Sequence, residues 1–353
     1  MNSINKLMVL GTAFGLNSSL LTAGEIPMSA APSSGGFDTH RVDAHAPIGV
    51  MADHTHDAGE WMLSYRYMFM HMDGHRAGTD SLSTQDVFNR GFGSAATDMD
   101  MEMHMFGLMY APSDRLTLMA MANYVRKDMT MEMNPHAMGG HMMHMGGSHS
   151  HSSEGIGDVS VGALLKVYEQ ANHRIHLNLG VVLPTAKVDE KDAGVYQPYG
   201  MQLGSGTWDA VFGLTYLGQS DHWSWGAQAT GRVALEETND SGFAYGDSAN
   251  VTTWLARQLT QSVSISARLN YIYQDAIDGH YDGGHNHSAP PHFQENYGGH
   301  VIEAGLGVNL QFQQGFLKGH RLAAEVLVPV YQDANGVGMD RDYTFTLGWQ
   351  KAF

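Results

Sequence analysis

Twelve segments of the chain alternate apolar residues with small or polar residues at every second position. A period of two places successive side chains on opposite faces of a β-strand, so each segment predicts a strand with one apolar face. An even number of strands, each near the ~9–11 residues that a tilted transmembrane strand needs, favours a closed barrel. The segments are Glu60–Met70, Asp98–Ala111, Arg115–Arg126, Asp158–Tyr168, Arg174–Leu183, Trp208–Tyr216, Trp223–Arg232, Asn250–Gln258, Val263–Tyr273, Ile302–Phe312, Leu322–Val330 and Tyr343–Phe353.

The connections between these segments alternate between short and long. Pro112–Asp114 and Leu259–Gln261 are short, whereas Lys127–Gly157 and Ala276–Gly299 are long. Bacterial outer-membrane barrels have short periplasmic turns and longer outer loops. We therefore predict an all-β transmembrane antiparallel barrel of about 12 strands at residues 59–353, with both termini in the periplasm. A soluble β-sandwich explains the alternation equally well, but it does not explain the regular change of loop length.

The N-terminal residues have the pattern of an export signal. Lys6 provides a positive charge, Leu7–Leu16 is an apolar run of suitable length, and Leu21–Ala23 ends in small residues. The pattern predicts a signal peptide at residues 1–23. Residues 24–58 are polar, contain glycine, serine, proline and histidine, and show no period, which predicts a flexible periplasmic extension or a plug.

Composition excludes several classes of function. The formal net charge of −17 argues against a nucleic-acid partner, because phosphate binding needs clustered basic residues. The chain has no cysteine, which excludes disulfides and thiolate metal sites. The sequence contains no serine-hydrolase elbow, zinc-protease motif or phosphate-binding loop. We therefore predict that the protein is not an enzyme and that it needs no cofactor.

Two stretches of sequence resemble known outer-membrane proteins. The C-terminal Tyr343–Phe353 alternates and ends on phenylalanine, so it resembles the terminal strand that is presented to the barrel-assembly machinery. This resemblance implies that machinery and the outer-membrane lipid as partners.

A narrower resemblance lies in three motifs, which are Gly155-Ile156-Gly157-Asp158-Val159, Leu183-Pro184-Thr185-Ala186-Lys187 and Leu203-Gly204-Ser205-Gly206-Thr207-Trp208-Asp209. Their order and spacing are similar to those of the outer-membrane transporter family named for the meta pathway of phenol degradation. The likeness covers residues 155–353 and, more weakly, the first three strands. It implies transport of small, often apolar compounds, although Ala186 replaces the usual family glycine.

Methionine is concentrated in one part of the chain, since nineteen of the 24 methionines lie between Met51 and Met145. In the first three predicted strands, methionines occupy the face opposite to the apolar one. They would line one sector of the lumen as a ladder with a step of roughly 6.6–6.8 Å. The predicted lumen-lining residues are Met62, Met68, Met70, Met99, Met101, Met103, Met105, Met109, Met119 and Met121.

Methionine and histidine also crowd two predicted outer loops, and His40, His45, His54 and His56 add to them near the N-terminus. Thioethers select Cu(I), and by analogy Ag(I), whereas imidazole also suits Cu(II), Zn(II) and Ni(II). Such runs resemble those of copper resistance protein B. The predicted metal-binding residues are Met129, Met131, Met133, His136, Met138, His141, Met142, Met143, His144, Met145, His149, His151, His280, His285, His287 and His292.

These patterns leave three hypotheses for function. The first is an outer-membrane barrel that transports or binds soft metal ions, with copper or silver as ligand. The second is a channel for small apolar or aromatic compounds, in which methionine is an adaptable wall material. The third is a structural barrel without transport.

Overall fold

The computed structural model describes residues 37–136 and 147–353 of the chain. In this part of the chain, no helix is long and apolar enough to cross a membrane. The predicted signal peptide and residues 24–36 of the predicted extension lie outside the described residues.

Long antiparallel strands form one closed sheet. Each strand pairs with the next along the chain, and the last pairs with the first, which closes the barrel. The strands are β1 (Trp61–Gly78), β2 (Ser94–Ser113), β3 (Leu116–Met133), β4 (Val159–Gln170), β5 (His173–Leu183), β6 (Asp209–Gln219), β7 (Trp223–Ala234), β8 (Ser248–Gln258), β9 (Val263–Gln274), β10 (Gly299–Gln311) and β11 (His320–Ala352).

The last strand supplies two segments of the wall. Arg321–Ala334 pair with β10, and Ala334–Ala352 pair with β1. Neighbouring strands run in opposite directions from β1 to β10. The part of β11 that pairs with β10 therefore runs in the direction of β1, whereas the part that pairs with β1 runs in the direction of β10. The chain must therefore reverse within β11. The wall has twelve segments, and the predicted barrel is confirmed, although the predicted eleventh and twelfth strands form one continuous strand.

The connections opposite the chain termini are the long ones, and they carry short elements of their own. After β1 come the strand Asp80–Leu82 and the helix α1 (Thr84–Asn89). The strand Ser148–Ile156 pairs with the outer half of β3. The other short elements are the strand pairs Lys191–Asp192 with Val195–Tyr196 and Phe243–Ala244 with Asp278–Gly279, and the 3-10 helices Tyr199–Met201, Pro290–His292 and Gln294–Asn296.

The two faces of the wall differ as the alternation predicts. Outward side chains such as Phe212 and Leu306 are 50% and 73% exposed, as expected of groups that contact lipid. Inward side chains on neighbouring positions, such as Ser64, Asn178 and Thr215, are buried. The apolar outer face and the polar or methionine-bearing inner face therefore follow directly from the period of two.

The first three strands extend further outward than predicted. β3 continues to Met133 instead of ending at Arg126, so Met129, Met131 and Met133 are strand residues and not loop residues. The outward positions between these methionines are polar, and no apolar face marks the strand there. His149 and His151 likewise lie on a strand, opposite Met131 and Met129.

Residues 37–58, here called the N-terminal segment, lie inside the periplasmic half of the barrel. The carbonyl groups of this irregular segment accept hydrogen bonds from inward-facing wall side chains. Arg66 Nε donates to the carbonyl of Ile48 at 3.0 Å, and Arg321 Nη2 donates to that of Ala46 at 2.8 Å. The same kind of bond joins the side chains of Ser224, Ser264 and Gln228 to the carbonyls of Asp43, Val42 and Met51. In the opposite direction, the Gly49 N–H donates to the carboxylate of Glu325. The polar wall thus satisfies main-chain groups that have no strand partner.

Candidate functional site

The lumen contains a cavity of about 710 Å³ between the N-terminal segment and the outer loops, here called the outer cavity. Polar groups, including Asp209, Arg232 and Gln332, lie on part of its wall. Thioether side chains are flexible and adapt to apolar molecules of different shape. The methionines of the wall are Met70, Met72, Met99, Met101, Met103, Met121, Met129 and Met339.

A second cavity of about 390 Å³, here called the inner cavity, lies against the N-terminal segment. Val50, Met51 and Ala52 of that segment form part of its lining, and Met119 faces it from β3. An apolar cavity of about 150 Å³ is enough to hold benzene, so both spaces are large enough for a single-ring molecule. The two cavities adjoin, because both are lined by Met121, Ser160, Val182, Arg232, Ser248 and Ile272.

The ten methionines predicted for the lumen fall into three groups. Met70, Met99, Met101, Met103, Met119 and Met121 line the two cavities. Met62 and Met109 are buried with Leu164 and pack near Ala52 and Met119, beside the N-terminal segment. Met68 and Met105 share the inward phase of the wall, where they pair with Met103 and Arg66.

The outer end of the lumen holds a packed group of methionines, here called the outer methionine cluster. Met72, Met99 and Met129 are register partners across β1, β2 and β3, and His151 is the next partner in the same row. Met72, Met201 and Met339 were not predicted as site residues, because Met72 follows the end of the first predicted strand and the other two stand alone in the sequence. The cluster consists of Met72, Met99, Met129, Met131, Met201 and Met339.

The predicted loop histidines come together at the outer rim from two distant parts of the sequence. The rings of His285 and His287 are 4.3 Å apart between centroids, and His151 Nδ1 lies 2.6 Å from Asp192 Oδ2. Burial, with smaller contributions from His151, His285 and His287, lowers the pKa of His292 to about 4.

The other predicted metal ligands are more scattered. His149 lies 5.1 Å from His151 between ring centroids, while His136 and His280 are exposed. None of the described loop histidines belongs to a set of three converging ligand atoms. Predicted ligands that lie outside the described residues are Met138, His141, Met142, Met143, His144 and Met145.

The three sequence motifs meet beside the outer cavity. The Asp158 carboxylate accepts hydrogen bonds from Ala186 N at 3.0 Å and from Ser205 N at 2.6 Å. A side chain at Gly204 would overlap Asp158 and Ala186, and Gly206 has a φ of +66°. Glycine permits both the close approach and the left-handed conformation. The motifs therefore form one hydrogen-bonded group of loops at the outer ends of β4, β5 and β6.

Tyrosines of the outer loops cover the cavity. Tyr281 stacks on Tyr196 at 4.1 Å and on Tyr199 at 4.2 Å between ring centroids. Tyr297 lines the outer cavity, where its hydroxyl accepts a bond from Gly200 N at 2.8 Å and donates to the Pro291 carbonyl at 2.7 Å. Because these aromatic residues come from different loops, their packing holds the loops together.

Comparison with solved structures supports the fold. The chain is similar to an outer membrane channel from Pseudomonas putida F1, with 14% identity and a TM-score of 0.58 over 87% of this chain and 100% of that chain. It is also similar to a Pseudomonas aeruginosa FadL homologue, with 13% identity and a TM-score of 0.43 over 91% and 99% of the two chains. A third is the β domain of the Bordetella autotransporter Brka, with 12% identity and a TM-score of 0.45 over 84% and 100%.

The likeness to the Pseudomonas putida channel agrees with the predicted barrel fold. No curated protein matches the chain. A family comparison matches residues 74–330, which include the three motifs and nine complete barrel strands, β2 to β10. The match covers well over half of the chain. The protein therefore belongs to the outer-membrane family described as "Putative MetA-pathway of phenol degradation".

Proposed function

We propose that the protein is an outer-membrane channel for small apolar compounds of about the size of a single aromatic ring. The observation that carries the proposal is the methionine-lined outer cavity, which continues into the inner cavity. The family description, which refers to phenol degradation, supports this class of solute. Copper or silver as the main cargo receives no such support from the comparisons.

In this proposal the N-terminal segment is the plug of the channel. It lies beneath the inner cavity and is bonded to the wall along much of its length. A solute enters between the outer loops, binds against the methionines and leaves when the N-terminal segment moves. The outer aromatic residues and the segment thus close the two ends of one binding chamber.

The test is uptake of radiolabelled toluene or phenol by cells whose lipopolysaccharide slows these solutes. Met101→Gln with Met103→Gln places amides in the outer cavity wall, where an unpaired amide disfavours an apolar solute. We expect slower uptake than with the wild-type chain. Met133→Gln is the matched control, because Met133 lies at the outer end of the same sheet but does not line the cavities. Equal uptake by cells with and without the wild-type protein would reject the proposal.

A second function, capture of soft metal ions, is favoured by one specific observation. The outer methionine cluster contains three register partners and adjoins His151. A group so rich in thioethers is of the kind that selects Cu(I) or Ag(I). The triple change Met72→Leu, Met99→Leu and Met129→Leu removes sulfur while nearly conserving volume. If the cluster captures metal, this variant loses Ag(I) binding in calorimetry but keeps solute uptake. Unchanged Ag(I) binding excludes the cluster as the capture site.

A further inference from the structure

A separate group of titratable side chains lies within the N-terminal segment, away from the methionines of the outer cavity. The ring centroids of His45 and His54 are 4.5 Å apart, and those of His54 and His56 are 4.9 Å apart. One ligand atom each from His45, Asp53 and His54 lies within 4.8 Å of the others, and the His56 ring packs against that of His54 outside this set. Asp53, His54 and His56 are only 4%, 6% and 6% exposed.

Three ring nitrogens of this group are buried without a hydrogen-bond partner. They are Nδ1 of His45, Nε2 of His54 and Nε2 of His56. A buried polar atom without a partner costs about 1–3 kcal/mol, and native proteins contain few of them. These atoms lie on neighbouring rings, His45 beside His54 and His54 beside His56, and each is free to bind a ligand.

The opposite nitrogens of two rings are held by carboxylates. His54 Nδ1 lies 2.8 Å from Asp53 Oδ1, and His56 Nδ1 lies 3.2 Å from Glu60 Oε2. An ionised carboxylate only accepts hydrogen bonds, so both Nδ1 atoms donate. In the neutral rings each Nε2 then carries a lone pair. Histidines that bind metal almost always donate their other nitrogen to a carboxylate, a carbonyl or water in this way.

The spacings of the two neighbouring ring pairs, His45–His54 and His54–His56, also fit a shared ion. Metal–nitrogen bonds of ~2.0–2.1 Å in a tetrahedral site separate imidazole centroids by roughly 5 Å. Imidazole nitrogen suits Zn²⁺, Cu²⁺ and Ni²⁺. We propose that His45, His54 and His56 bind one divalent transition-metal ion, with Asp53 and Glu60 orienting two of the rings.

The ion would join two arms of the N-terminal segment. His45 precedes Ala46, whose carbonyl is bonded to Arg321, while His54 follows the Ala52 carbonyl that is bonded to His176. The Ala46 N–H already donates to Asp53 Oδ2 at 3.0 Å, which brings the arms together without the ion. Metal binding strengthens this link and stabilises the segment inside the lumen.

The test uses the full chain in detergent, loaded with Zn²⁺ and dialysed before metal analysis. His45→Gln is the best variant, because the His45 ring makes no hydrogen bond in the described structure, and His54→Gln is the second. His40→Gln is the matched control, since this histidine of the same segment is exposed. We expect each test variant to bind one Zn²⁺ fewer per chain than the wild type and the control.

Two further measurements test the position of the ion and the role of Asp53. Crystals of the wild-type chain should give a zinc-edge anomalous peak between the three rings. Asp53→Asn should weaken Zn²⁺ affinity about 10–100-fold, as loss of a carboxylate behind a metal-bound histidine does. The proposal fails if the peak is absent from this position or if His45→Gln keeps the full stoichiometry. Neither result bears on solute uptake, so the channel proposal stands or falls separately.

Discussion

Loss of one wall arginine should release the N-terminal segment and open the channel. Arg321 is 4% exposed, and its Nη2 donates to the Ala46 carbonyl at 2.8 Å. A hydrogen bond to a charged group contributes about 1.5–3 kcal/mol. Arg321→Met removes that contribution from the seated segment but leaves the released segment unaffected. Because about 1.4 kcal/mol changes an equilibrium tenfold, the ratio of released to seated segment should rise roughly 10- to 150-fold.

Single-channel recording in planar bilayers measures this ratio as the ratio of open to closed time. The control is Arg341→Met, which removes another inward arginine whose partner is Glu303, at 3.6 Å, and not the N-terminal segment. Heat-modifiable migration in electrophoresis verifies that both variants form barrels, since Arg321 also contacts Asn309 and Gln350. An open-to-closed ratio of Arg321→Met equal to that of the wild type and the control would refute the reasoning.

Three other changes test separate parts of the structure. Gly49→Val should also raise the open fraction, because a Cβ at this position overlaps Glu325 and Arg268. Gly284→Val is the control in the same recordings, because a Cβ there meets open space and the backbone has no positive φ. Lowering the pH from 6.5 to 4 should loosen the outer loops by up to about 1.4 kcal/mol per pH unit, because the unfolded loop takes up a proton at His292 before the folded one does. Hydrogen exchange near residues 290–299 measures this effect, and His292→Gln should remove it. Tyr281→Phe loses the hydroxyl bonds to Gln202 and Gln197 and should destabilise the loop packing by about 1–3 kcal/mol. The measurement is the rate of trypsin cleavage after Lys187 and Lys191, which should rise. Equal cleavage rates in the variant and the wild type would contradict the prediction.

The sequence predicted the wall well because strand geometry is a local property. The period of two assigned Phe106 and Leu108 to lipid and the flanking Met105 and Met109 to the lumen, and in the structure the first two side chains are exposed and the two methionines are buried. The outer end of β3 was missed for a related reason. Beyond the lipid, outward positions such as Asp128 and Glu132 contact water, so the apolar face that marks a strand is lost.

Sequence reasoning about the metal ligands was less complete. Dense runs of methionine and histidine, such as residues 129–151, were predicted as ligands. Met201 and Met339 were not, because each stands alone in the sequence. The histidines of the N-terminal segment were noted only as additions to those runs. What distinguishes them is the orientation of their nitrogens and their carboxylate partners, which spacing along the chain does not reveal.

The sequence by itself determined the barrel, the faces of its strands and the family. These features follow from alternation and from short motifs, which act between neighbouring residues. Only the tertiary structure decided what fills the lumen. The N-terminal segment has no period of its own, because its main-chain groups bond to wall side chains up to 276 positions away, as Gly49 does to Glu325. The same contacts bring the His45 ring to that of His54 and leave one buried nitrogen without a partner on each of His45, His54 and His56.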